Sequence, residues 1–472
     1  MKKNTISIII SVLVFCISGT LQAQNNQTPL EEPVKSELEI IQDQIDNNAS
    51  EIKKLKKLKV SGYLQGQFEV GQEFASTKVG SVTRFDNTRD GGEYDAESKT
   101  SKNDNFFRFG VRRGRIKFTW EETFGQAVFQ LDITEKGVSF KDVYFKVSEP
   151  WLNVFSLTAG IFDRPFGDEI GYSSSRRESP ERTILHQELF PDERDLGAMV
   201  TIAAPKGTPV EGLKLEGGAF CGNGIAIPDN GKMDFIGRFR YDKKWSTITF
   251  GVGTSMYLGN VRNIDTMLYQ IQDGKWEGKK VDRFGINARQ YFGFDAQFSA
   301  QSSWGISNIR AEVVWGTQPG SANRMRSPRG DNMQYAGVGA GANDAALNAA
   351  AKNFNYIRKF WGAHVYFVQD IYKTPLTLVL KYGFMNPNTE ITEDQIKSKV
   401  DLPYNYLGLG LLVRCTANLR LMCYYDMPFN ATKNGFTPPA PEAKPGAGYN
   451  NVLDYTNHVK EGVFTCRLQY KF

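Results

Sequence analysis

The sequence predicts an all-β chain closed into a transmembrane antiparallel barrel of about sixteen strands, with a short coiled-coil helix ahead of it. Three observations predict this. Apolar and polar residues alternate, the period of a half-buried strand, from Val60 to the last residue, Phe472. The connections between the alternating stretches are short and long in turn. The composition is rich in aromatics and glycine, with 32 Phe, 20 Tyr and 45 Gly in 472 residues, yet mean hydropathy is only −0.40. That average excludes a bundle of membrane helices, each needing about 20 consecutive apolar residues. A barrel fits it, because half of each strand faces lipid and half faces water. The formal net charge of +5 is too slight to indicate a nucleic-acid partner. Three His and five scattered Cys leave little material for a metal site, and no cofactor is expected.

The first element is a secretory signal. Met1-Lys2-Lys3 is basic, Ile6 to Ile17 is apolar, and Ala23 is a small residue suited to cleavage. Residues 1–23 are therefore read as signal peptide, placing the mature chain outside the cytoplasm. Cys16 lacks the small residues of a lipobox before it and reads as part of the signal core. Residues 24–35 form a polar linker. Over 36–59, Leu38, Ile41, Ile45, Asn48, Ile52 and Leu55 follow 3-4-3-4-3 spacing, a heptad seam. Acidic residues lead it and lysines follow, which complements the helix dipole. Leu or Ile at a with Ile at d leans toward three strands, and Asn48 would fix register. The other reading is one amphipathic helix packed on its own domain.

Residues 60–472 are read as the barrel. Candidate strands lie near 60–70, 105–119, 123–133, 140–149, 152–162, 196–204, 213–220, 234–242, 247–258, 284–300, 306–316, 356–369, 376–386, 403–415, 418–427 and 461–472. Tight turns fall at 120–123, 149–150, 243–244, 302–303, 372–373 and 416–417, with a longer one at 205–212. Long connections lie at 71–104, 163–195, 259–283, 317–355, 387–402 and 429–460. Segregating short turns from long loops is the pattern of an outer-membrane barrel, and an even strand count puts both chain ends on the short-turn, periplasmic side. Trp120, Trp151, Trp245 and Trp304 all lie beside short turns, where an interfacial belt would hold them. The chain ends Phe464-Thr-Cys-Arg-Leu-Gln-Tyr-Lys-Phe472, alternating toward an aromatic terminus as outer-membrane barrels do for their assembly machinery.

One region of about 100 residues resembles a known family. Phe107-Arg-Phe-Gly-Val-Arg112-Arg113-Gly-Arg115 is similar to the Arg-rich second strand of the phosphate-selective porin O and P family. Ala159-Gly160-Ile-Phe-Asp-Arg-Pro165-Phe166-Gly167 resembles that family's segment after the fifth strand. Ser173-Ser174-Ser175-Arg176, Glu181-Arg182 and Arg194-Asp195-Leu196-Gly197 resemble the loop that follows. The resemblance implies a sixteen-stranded, trimeric, anion-preferring porin whose loop after strand five folds inward and narrows the pore. The chain departs from the family at Asp168-Glu169-Ile170-Gly171-Tyr172, where phosphate-selective members carry a lysine before the paired serines.

Placing the apolar set of each strand toward lipid turns twelve basic residues inward: Arg113, Arg115, Lys117, Arg238, Arg240, Arg289, Arg310, Arg358, Lys381, Arg414, Arg420 and Arg467. The inward acids are six: Glu69, Asp132, Asp142, Asp295, Glu312 and Asp426. That balance predicts a basic lumen favouring anions; the other reading is a polar, hydrated lining whose charges pair across the lumen. Arg112 breaks the alternation with Arg113, and a bulge or a rim position would explain it. The candidate constriction loop holds Arg164, Asp168, Glu169, Ser173, Ser174, Ser175, Arg176, Arg177 and Arg182, with Asp163, Glu178, Glu181 and Arg194 beside them. Opposed acids and bases there would set up a transverse field; the other reading is an ordinary surface loop whose charges are merely solvated.

Other chemistry is weak. His186, His364 and His458 lie far apart with no acid–His–Ser spacing, so no enzyme is expected. Cys415, Cys423 and Cys466 read as small lipid-facing filler, although Cys423 and Cys466 fall on neighbouring strands. Gly337-Val-Gly-Ala-Gly-Ala-Asn lacks the Gly-Lys-Ser/Thr of a phosphate loop, and Thr437-Pro-Pro-Ala-Pro reads as external loop. The expected function is passive diffusion of small hydrophilic, preferably anionic solutes through a homotrimer in outer-membrane lipid. The alternative is a loop-closed structural protein tethering the outer membrane to the cell wall.

Overall fold

The computed structural model describes residues 37–72, 105–135, 137–320, 325, 355–392, 401–430 and 461–472, less a few single positions, together with four two-residue strands between 76 and 101. The signal and linker, the 337–351 and 437–446 loops and His458 lie outside the described residues.

Two units are described. The first contains one helix, α1 (Glu37–Leu55). Its stripe of Ile41, Ile45, Ile52 and Leu55 is half exposed or more in the single chain. Gln42 to Asp46 and Lys54 to Glu51 are its surface side-chain contacts. The helix ends at Leu55, earlier than residue 59, because the two-residue period of the next unit begins at Leu58.

The second unit is the barrel. Its main sheet has eighteen strands, of which two (Met267–Gln272 and Lys275–Lys280) form a loop hairpin, leaving sixteen in the wall. In chain order these are β1 (Leu58–Gln72), β2 (Asn105–Glu122), β3 (Gly125–Thr134), β4 (Gly137–Ser148), β5 (Phe155–Asp163), β6 (Arg194–Ala203), β7 (Leu213–Phe220) and β8 (Asp234–Lys244). Then follow β9 (Ile248–Arg262), β10 (Ile286–Ser302), β11 (Gly305–Gly320), β12 (Asn355–Asp370), β13 (Leu376–Asn386), β14 (Tyr404–Arg414), β15 (Leu419–Asn430) and β16 (Val463–Lys471). Every neighbour in the wall is antiparallel, and β1 pairs with β16 (Gly66 opposite Leu468), so the sheet closes and has no free edge.

Side-chain alternation decides which face is which. Along β10, Asn287, Arg289, Tyr291 and Asp295 are buried while Phe292, Phe294 and Phe298 are exposed. An exterior of exposed Phe, Leu and Trp over a polar interior is the inversion expected of a lipid-facing barrel. A cavity of about 430 Å³ lies on that exterior among Val200, Leu215, Phe239 and Phe292. Trp151, Trp245 and Trp304 occupy short turns and Trp120 ends a strand beside one, all exposed. The start of β1 and the end of β16 meet at the same side, where the Gly62 N–H donates to the Phe472 carbonyl.

Three expectations change in detail. The connection between β3 and β4 is a two-residue turn at the long-loop end, so the segregation of turn lengths is not complete. Arg112 is the extra residue of a bulge: Gln65 pairs with Arg113 and Gly66 with Val111, so the register shifts by one across it. Both arginines therefore point inward. Arg414 has inward parity but lies at the short-turn rim, 58% exposed and bonded to Asp370, so it does not line the interior. Strand parity fixes direction but not depth.

Candidate functional site

The segment between β5 and β6 runs through the lumen. It carries Phe166, Ile170, Leu185, Leu189 and Phe190, all at most 2% exposed. They pack on inward residues of the wall such as Phe220, Tyr257, Tyr291 and Phe360. Burying such a side chain is worth about 1.5–3 kcal/mol, which an external position would forfeit. This apolar set pulls the loop inside, and the polar residues between are carried with it. Two short helices form there, α2 (Gly167–Gly171) and α3 (Ile184–Leu189).

Gly167 starts the inward turn with φ of +60°, and a Cβ there would meet the Glu312 carboxylate. The bare backbone lets Glu312 Oε2 accept from the N–H groups of Asp168 (3.0 Å) and Glu169 (3.1 Å), while the Gly167 N–H donates to Ser255. Arg182 donates to the carbonyls of Glu169 and Ile170, closing the C-terminal end of α2, and pairs with Glu193.

Beyond α2 the loop crosses to the opposite wall. Tyr172 lies under the Arg310 guanidinium, and Glu178 accepts from both. Ser174 bonds Tyr63 (2.7 Å) and Arg115 (3.1 Å), Ser173 bonds Ser175, and the Ser175 carbonyl accepts from Gln469. The carbonyls of Arg176 and Arg177 accept from Arg420, that of Pro180 from Arg467, and that of Glu181 from Lys381. The loop thus touches β1, β2, β11, β13, β15 and β16.

The charges divide the lumen into two sides. From β4 round to β12 the arginines are paired with acids: Arg194 with Asp142, Arg164 with Asp195, Arg238 with Asp295, Arg289 with Asp234 and Arg358 with Asp401. Arg240 pairs with Asp168 and Asp242, and Arg310 with Glu178. On the side built by β1, β2 and β13–β16, Arg115 pairs with Asp132 of β3, while Arg112, Arg113 and Arg467 converge on one carboxylate, Glu181, at 2.7, 3.0 and 3.1 Å. Burial alone would raise the Glu181 carboxyl, but the three guanidinium groups outweigh it and hold it well below the usual carboxylate range. Lys381 and Arg420 donate there to carbonyl and amide oxygens, and Lys117 of β2 is half-buried. Arg177 is 1% exposed, and among the described residues its Nε and Nη1 have no partner.

The count of twelve bases against six acids therefore misstates the lumen. Asp195, Asp234 and Asp401 also point inward, and the loop brings in Asp168, Glu169, Glu178 and Glu181. Those acids follow from the loop's path, which strand parity does not contain. The excess of positive charge is local, on one side. The sequence also missed the tyrosines that separate the guanidinium groups, Tyr172, Tyr257 and Tyr366. His186 and His364, discounted for their separation, meet in the lumen with rings 5.4 Å apart. Cys423 and Cys466 are opposite in register and both free.

No family model and no curated protein matches this chain. Solved structures do. The high-pH structure of Pseudomonas putida OprB is similar, with TM-score 0.50 and 9% identity over 90% of this chain and 97% of that one. The outer membrane channel DcaP of Acinetobacter baumannii (0.49, 10%, 88% and 97%) and the anion-selective porin from Comamonas acidovorans (0.47, 10%, 88% and 99%) are more distant in shape. At such identity the OprB likeness shows the fold alone: the sixteen-stranded barrel of outer-membrane porins.

Proposed function

We propose that this chain is an outer-membrane porin that passes small hydrophilic solutes passively and prefers anions. The observation that carries the preference is the unequal charge of the lumen: two Arg177 nitrogens lack a partner among the described residues, and three further arginines share Glu181. Cations held in a low-dielectric wall focus a potential that raises local anion concentration. The pore-lining bases are Arg113, Arg115, Lys117, Lys381, Arg420 and Arg467 on this side, and Arg238, Arg240, Arg289, Arg310 and Arg358 on the paired side. Residues 164–182 supply the constriction. The motif resemblance to the phosphate-selective porin O and P family supports oxyanions as the solute class. A homotrimer is part of this reading, with the exposed seam of α1 as one contact and Phe472 as the assembly signal.

Planar-bilayer recording tests it. The proposal expects stepwise conductance that falls when phosphate or a dicarboxylate is added and is indifferent to neutral sugars. Absence of conductance overturns it and favours the second reading, a closed structural barrel. That reading draws on one observation, the loop's bonds to opposite walls of the lumen.

A further inference from the structure

The centre of the lumen holds a cluster that permeation does not use. Glu169 of α2, His186 of α3 and His364 of β12 place one ligand atom each within 4.8 Å of one another. His186 Nδ1 lies 2.7 Å from Glu169 Oε2, and His364 Nδ1 lies 3.9 Å from the same oxygen. The three residues are all at least nine-tenths buried. His364 Nδ1 has no hydrogen-bond partner among the described residues, although burying a ring nitrogen unpaired is costly. It faces the cluster.

We propose that Glu169, His186 and His364 bind a divalent transition-metal ion. Two imidazole nitrogens and one carboxylate oxygen are borderline ligands, suited to Zn²⁺ rather than to Mg²⁺ or Ca²⁺, which take oxygen. Tetrahedral ligands about 2.0–2.2 Å from zinc stand ~3.3 Å apart, so the widest separation in the trio, up to 4.8 Å, closes by as much as about 1.5 Å on binding.

The surroundings of the trio have the form of a supporting shell around an ion. His186 Nε2 lies 2.9 Å from Glu312 Oε1, a contact that orients the ring when Nε2 carries the hydrogen, while Nδ1 faces Glu169 and the Thr183 hydroxyl (2.8 Å), which the ion would displace. Glu312 is itself fixed by the N–H groups of Asp168 and Glu169. Glu169 Oε1 accepts from Tyr366 (2.8 Å) and from the Thr183 N–H (3.0 Å). A cavity of about 10 Å³, the size of one water, adjoins Glu169 and His364 on the side of Arg177 and Arg310. Glu169 and Glu312 together supply two negative charges against the ion's two. Metal binding needs the imidazoles neutral, so the ion replaces the proton that His186 otherwise shares with Glu169. Because two ligands ride on the loop and one on the wall, the ion would fasten the loop to β12.

The test uses the full chain purified in detergent, stripped with EDTA and titrated with ZnCl₂ by calorimetry. The proposal expects one Zn²⁺ per chain and no heat with MgCl₂. His364→Ala should weaken binding at least tenfold, and Glu312→Gln by about 10–100-fold. His458→Ala should leave binding unchanged. Heat-modifiable gel mobility checks that each variant is folded. No zinc binding to the folded wild type, or equal binding by folded His364→Ala, overturns the proposal. The readout is binding, so it stands or falls separately from conductance.

Discussion

The two sides of the lumen use the same residue type to opposite ends. On the side from β4 to β12 each guanidinium meets an acid, and several acids, such as Asp195, Asp234 and Asp295, are fully buried. On the side of β1, β2 and β13–β16, Glu181 serves three arginines while Arg177 keeps two nitrogens unpaired among the described residues. The first arrangement holds the loop root against the wall and leaves little net field. The second leaves positive charge less fully compensated, on side chains that are themselves buried and so act through their potential rather than by contact. A residue count over the whole lumen conceals this, because selectivity depends on where compensation fails.

Glu181 is the place to break the comparison most severely. Removing one partner of a buried ion pair costs about 3–5 kcal/mol, and here three arginines lose theirs. Glu181→Gln is expected to lower the thermal unfolding midpoint and to increase anion over cation permeability, read by heat-modifiable mobility and by reversal potential. An unchanged midpoint would show that the three arginines do not depend on Glu181.

The complementary change should move selectivity without stability. Arg177 is buried with little compensation, so Arg177→Met removes a charge whose burial is costly. The expected result is a thermal midpoint that is equal or higher, with anion preference reduced several-fold. On the paired side, the double change Arg238→Met with Asp295→Leu removes a matched pair, for which apolar replacement is often neutral. Its reversal potential should stay close to wild type. A shift as large as that of Arg177→Met would erase the distinction between the sides.

Acid gives a smaller test. The Glu181 carboxyl is depressed in the folded protein. Its contribution is therefore full above the unfolded value of about 4.3 and is lost as pH falls through the lower folded value. Stability and loop closure should decline below about pH 4, seen as rising conductance in acid. Glu181→Gln should abolish this component. The smallest expected effect is on assembly. Removal of residues 34–58 should weaken the oligomer on native gels while leaving barrel strands unchanged by circular dichroism.

How legible was this in the sequence? All sixteen wall strands follow from the period-two pattern, because a lipid-facing barrel forces alternation along each strand. The inward loop was implied only by the family resemblance of the segment around Pro165-Phe166-Gly167, because its mixed charges alone read equally as an ordinary surface loop; the buried Phe166, Leu185 and Phe190 give the physical reason for its path. Arg112 was visible as a break in parity, but only the β1–β2 register identifies the bulge. Arg414 shows the same limit, since the pattern carries direction and not height. The His186–His364–Glu169 cluster was not legible, because a loop folded through the barrel makes neighbours of residues that no local spacing connects.

Uncompensated cations on one side of the lumen should make this barrel an anion-preferring pore. The direct measurement is the wild-type reversal potential across a planar bilayer in a KCl gradient. The expected sign shows Cl⁻ more permeant than K⁺. A sign showing K⁺ more permeant, in a barrel that conducts, would contradict it.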